Sequence, residues 1–150
     1  MIPYFKQEKD WWCGPAVMQM ALASFGIKKS QKVLAKELGA KNNDIGTKNS
    51  SMIKVAKKYF SVVDSKEKKS FSELKNHLKQ KKAVIVSYFY EPDKTGHFAV
   101  VKDITSKGII LCDSEAGPNK KYSLKHFKKI WRDNEGSNGW LLTLKQPRYL

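Results

Sequence analysis
The chain has 150 residues, 41% of them apolar, and a formal net charge of +15. That length suits one domain, 1–150, with a core of its own, and that apolar fraction excludes a disordered chain. All but two of the 29 basic residues are lysine, spread over nearly every segment; nucleic-acid readers usually spend arginine on bidentate contacts, so the charge reads as solvated surface that favours acidic partners at low salt.

No apolar run is long enough to cross a bilayer, and the N-terminus lacks a basic region followed by a long apolar one. A cytoplasmic, monomeric protein without a nucleic-acid partner is expected. Cys13 and Cys112 are too few for a disulfide framework. His77, His97 and His126 show no metal-ligand spacing with either, so neither metal nor other cofactor is expected.

Taken in order, Pro15 to Phe25 reads as a helix, apolar on most faces and therefore central. Pro15 fits its first turn and Gly26 supplies a stop. Ser30 caps a second helix, Gln31 to Leu38, ended by Gly39. A polar loop, 40–48, precedes a third helix from about Ser50 to Lys58 and a short strand, Phe60 to Val63. Ser70 to Glu73 resembles a capping box and opens a helix to about Gln80. Ala83 to Tyr90 is a β-prone run, followed by strands Phe98 to Ile104 and Ile109 to Asp113 around a hairpin turn at 106–108. Residues 114–119 read as a loop, Ser123 as the cap of a short helix to about Ile130, and Trp140 to Leu144 as a final strand. Helices followed by a mostly antiparallel sheet make an α+β protein.

Cys13 lies just before the Gly14-Pro15 helix start, where free N–H groups and the helix dipole lower a thiol pKa. A buried, inert cysteine is the alternative at this point. His97 opens an apolar strand, at its edge and facing outward, with Phe98 on the other face. Beside a poised thiol it is a candidate general base. The hairpin around Lys107 returns Asp113 to the start of the His97 strand, within reach to orient the imidazole. A slip of one residue in register would change this. Cys112 faces away from that side, so a Cys13–Cys112 disulfide is not expected. The Cys13 N–H is one donor for a developing oxyanion, and Gln7 could be a second or an ordinary surface residue. Trp11, Trp12, Tyr88 and Tyr90 are candidates for substrate-binding walls or for the core.

Three motifs in order, Gln7-x5-Cys13-Gly14-Pro15-Ala16, Gly96-His97-Phe98-Ala99-Val100-Val101 and Leu111-Cys112-Asp113-Ser114-x-Ala116-Gly117, resemble the papain-like peptidases of the bacteriocin-processing, double-glycine-leader type. The resemblance covers Ile2 to about Leu144 and is strongest to stand-alone relatives. It implies a papain-like fold with a central N-terminal helix on the sheet. It implies Cys13 as nucleophile, His97 as general base, Asp113 as orienter and Gln7 as oxyanion donor. Transporter-borne members carry an acidic residue before the cysteine and a proline after the aspartate, where this chain has Trp12 and Ser114. The expected function is therefore hydrolysis of peptide or isopeptide bonds through a thioester, with the leader substrate open. Acyl transfer to another amine and peptide binding without turnover are the competing functions.

Overall fold
The computed structural model describes residues 1–148, so the last two residues of the expected domain lie outside the description. Its elements run α1 (Cys13–Ala23), α2 (Gln31–Leu38), α3 (Asn49–Tyr59), β1 (Phe60–Glu67), α4 (Phe71–Lys79), β2 (Ala83–Tyr90), β3 (Thr95–Thr105), β4 (Gly108–Asp113), β5 (Gly117–Tyr122), α5 (Leu124–Ile130) and β6 (Trp140–Pro147). The strands form one sheet in the order β1-β6-β2-β3-β4-β5, antiparallel at every pairing. The fold is α+β.

Local chemistry accounts for most boundaries. Ser30, Ser70 and Ser123 each accept an N–H from the third residue onward, the first-turn bond that a helix cannot make for itself. Gly39 ends α2 in the left-handed region at φ 64°, which costs glycine nothing. The first helix begins two residues earlier than the sequence suggests. Trp12 is its N-cap, with its carbonyl accepting the Ala16 N–H at 3.0 Å, so Cys13 is the first helical residue. It also ends at Ala23, short of Phe25.

The sheet is covered on both faces. On one, α1 brings Val17, Met20 and Ala21 onto Ile85, Phe98, Val100, Cys112 and Leu142, with α2 and α3 behind. On the other, α4 and α5 lay Leu74 and Phe127, with Trp131 just after α5, against Val86, Tyr88, Ala99, Val101 and Leu111. Each fully buried large apolar side chain of this kind contributes roughly 1.5–3 kcal/mol. That burial fixes α1, and hence its first residue, against the sheet.

Two strands differ most from expectation, while β3 begins earlier, at Thr95, and β6 runs on to Pro147. Residues 117–119, expected as part of a loop, open the edge strand β5 on β4. Pro118 is tolerated there because an edge strand does not need every N–H. The first strand continues past Val63 to Glu67, paired along its length with β6.

The β3–β4 hairpin contains one irregularity of consequence. Thr105, Ile104 and Asp103 pair with Gly108, Ile109 and Ile110, but Val101 then pairs with Leu111 and Val100 with Cys112. Lys102 is thus an extra residue in β3, a β-bulge. Were Lys102 itself paired with Leu111, Asp113 would stand opposite Val100, on the α1 face. With the bulge, continuing the register sets Asp113 opposite Ala99, on the same face as His97.

Candidate active site
Cys13 opens α1 at the base of a cleft of about 260 Å³. The cleft walls are Asp10 and Trp11, the polar loop from Asn42 to Gly46, and Asp93, Thr95, Gly96 and His97 around the β2–β3 turn. The loop is fastened across the cleft rim, where Thr95 Oγ1 donates to the Asp44 carbonyl at 3.0 Å and Asn134 Nδ2 donates to Thr95 Oγ1 at 2.8 Å. Gly14 is needed where this loop meets α1. A Cβ there would fall 2.7 Å from both Cβ and Oγ1 of Thr47.

His97 and Asp113 are brought together. His97 Nε2 lies 2.9 Å from Asp113 Oδ1, and both residues are buried. This corrects the expectation that His97 faces outward: it is 4% exposed, because Tyr90 stacks on its ring at 4.7 Å and Tyr88 meets it edge-on at 5.8 Å. With Nε2 committed to Asp113, Nδ1 is the nitrogen left to face the Cys13 thiol, which is near enough for each group to shift the other's titration.

The electrostatics favour charge separation. Burial raises the Cys13 thiol, but the neighbouring His97 charge and bond, helped by the Phe98 backbone N–H, outweigh it and the net direction is down. Burial lowers His97, and the adjacent thiolate and Asp113 outweigh that and raise it. Burial would raise Asp113 too, yet bonds from His97, Tyr88 and the Ala116 N–H hold it below the usual carboxylate range. These directions favour a Cys13 thiolate beside a His97 imidazolium, with Asp113 ionised behind it.

Asp113 is satisfied at both oxygens. Oδ1 accepts the Glu115 and Ala116 N–H groups at 2.9 Å each besides His97. Oδ2 accepts the Tyr88 hydroxyl. Tyr88 and Tyr90 thus belong to the buried surroundings of the histidine rather than to the cleft wall. Sequence reasoning missed these roles, although their alternation along β2 puts both on one face.

Gln7 sits outside the cleft lining. Its Nε2 donates to the Lys9 and Asp10 carbonyls at 3.1 and 3.0 Å, and its Oε1 accepts the Ser114 hydroxyl at 2.9 Å. Trp11 lines the cleft and Trp12 does not; the Lys9 ammonium lies over both indoles, 5.4 and 5.5 Å from their centroids. Cys112 points into the α1-side core, its Sγ 3.5 Å from Met20 Sδ, and both cysteines are free. Burial pushes the Cys112 thiol up to about 11.

These features define a papain-like cysteine peptidase architecture, and the comparisons agree. The chain belongs to the Peptidase_C39-like family, whose model matches residues 1–138. Similar solved structures include the peptidase domain of Streptococcus ComA, a bifunctional ABC transporter of a quorum-sensing pathway (TM-score 0.74, 20% identity, 97% of this chain and 100% of that one). A C39-like peptidase structure from Bacillus anthracis matches at TM-score 0.71 and 16% identity, covering 98% of this chain and 96% of that one. A double-glycine-motif protease from an AMS/PCAT transporter, solved with a leader peptide, matches at 0.68 and 18%, covering 97% and 93%. No curated protein sequence matches. No helix among the described residues is long and apolar enough to cross a membrane.

Proposed function
We propose that this chain hydrolyses peptide bonds, with Cys13 as nucleophile, His97 as acid and base, and Asp113 as the group that orients His97. The observation that carries the reading is the buried chain of contacts from Asp113 through His97 to the thiol at the head of α1. The Cys13 thiolate attacks the scissile carbonyl carbon, and the carbonyl electron pair moves onto oxygen. The oxyanion is met by the Cys13 N–H, which has no acceptor within α1, and by Gln7 Nε2 on exchanging one of its carbonyl bonds.

Collapse of this intermediate expels the amine, which takes the proton from the His97 imidazolium and leaves a thioester. His97, now neutral, removes a proton from water as the water attacks the thioester. The carboxylic acid departs and the thiolate–imidazolium pair is restored. Asp113 keeps the ring in one tautomer throughout, with Nε2–H donated to its carboxylate.

One of the similar structures is a double-glycine-motif protease bound to a leader peptide. Peptides with a Gly-Gly pair are therefore the first substrates to try, and Trp11 and the 42–46 loop are the walls they would meet. The test is cleavage profiling on a diverse peptide library that includes Gly-Gly sequences, with Cys13→Ala as control. Products from the wild type alone support the proposal; equal cleavage by both proteins overturns it.

A further inference from the structure
Ser114 directly follows the aspartate that holds His97, at the position where the family resemblance expects proline. It is fully buried. A buried hydroxyl requires a partner, and this one donates to Gln7 Oε1 at 2.9 Å, across 107 residues of chain. The Ser114 carbonyl also accepts the Gln7 backbone N–H at 3.0 Å. Gln7 is therefore held at main chain and side chain by one residue.

The surrounding acceptors fix which way the Gln7 amide points. Nε2 lies against two carbonyls, those of Lys9 and Asp10. Turning the amide over would set Oε1 against these acceptors, so Oε1 must face the hydroxyl. The two carbonyls belong to the turn that runs into Cys13, where Lys9 O also accepts the Trp12 N–H at 3.0 Å.

We infer that Ser114 is a positioning residue, whose hydroxyl holds the Gln7 amide with Nε2 directed to the Cys13 turn as the second oxyanion donor. The inference rests on the proposed peptidase reading. Two adjacent residues at the end of β4 then hold the two halves of the machinery: Asp113 the base, Ser114 the oxyanion donor. Proline at 114 would have no hydroxyl with which to do this.

The test uses acetyl-Gly-glycinal, an aldehyde whose carbonyl carbon bonds to the Cys13 sulfur while its oxygen takes the His97 proton to give a hemithioacetal. Its binding is titrated by tryptophan fluorescence on wild type, Ser114→Ala, Gln7→Ala, the double variant and Cys13→Ala. Iodoacetamide alkylation of Cys13 is measured alongside, because that displacement develops no oxyanion. Ser114→Ala is expected to weaken aldehyde binding roughly tenfold, with alkylation unchanged within about twofold, the scale of one lost hydrogen bond. The double variant should bind no worse than Gln7→Ala alone.

Wild-type binding by Ser114→Ala, additive losses in the double variant, or alkylation falling in step with binding would each overturn the inference. No adduct on wild type, or equal binding by Cys13→Ala, would instead overturn the peptidase reading beneath it.

Discussion

His97 and Asp113 share one face of the sheet because Lys102 is left out of the pairing between β3 and β4. Their 2.9 Å contact depends on that register. Deleting Lys102 would remove the bulge yet keep Val101 on Leu111 and Asp103 on Ile110, so it should leave Asp113 opposite Ala99 and hydrolysis largely intact. Asp113→Ala, by contrast, removes the partner of His97, and hydrolysis should fall by about 10²–10⁴, the usual worth of a positioned acid–base group. Circular dichroism should show the sheet retained. An Asp113→Ala variant that is folded and fully active would contradict the role given to the pair.

The pH dependence follows from the directions of the two shifts. Cys13 is lowered and His97 is raised to about 10, so the ion pair exists between those two values. As pH falls through the lowered thiol value, the thiolate takes up a proton and hydrolysis declines. As pH rises through about 10, the imidazolium loses the proton that the leaving amine needs, and hydrolysis declines again. Alkylation by iodoacetamide needs only the thiolate, so it should fall on the acid side alone. Its midpoint should lie below the ordinary thiol value of about 8.5. Cys112, pushed up to about 11 and buried, should stay unlabelled at neutral pH. A Cys13 labelling midpoint at the ordinary value would contradict the pairing with His97.

Tyr88 satisfies the second oxygen of a fully buried carboxylate. Tyr88→Phe keeps the ring against His97 and removes only the hydroxyl. The uncompensated Asp113 oxygen should cost about 1–3 kcal/mol of stability, read from denaturant midpoints. Equal stability of Tyr88→Phe and wild type would remove Tyr88 from the site.

Much of this was legible in the sequence, for identifiable reasons. The second helix is bounded by Ser30 and Gly39, whose capping chemistry is local, and its limits are those expected. The β-prone run from Ala83 to Tyr90 is a strand over the same residues. Non-local features were not legible. The bulge at Lys102 depends on pairing between strands, and nothing in Val-Val-Lys-Asp signals it. Burial of His97 depends on Tyr90 folding over it from the neighbouring strand. The polar loop 40–48 carried no periodic signal, yet it forms a cleft wall because Thr47 packs on Gly14 and Asp44 is tied to Thr95. Ser114 stood out as a departure from the family pattern, but its partner lies at the far end of the chain.

The central claim is that the Cys13 sulfur becomes acylated during turnover. The most direct measurement is acid quenching during hydrolysis of a cleaved library peptide, followed by mass spectrometry of the digested protein. The account predicts an acyl mass on the Cys13 peptide, absent from Cys13→Ala, absent from Cys112, and much reduced in His97→Ala. Steady turnover with no acyl mass on Cys13, or with the mass on Cys112, would contradict it.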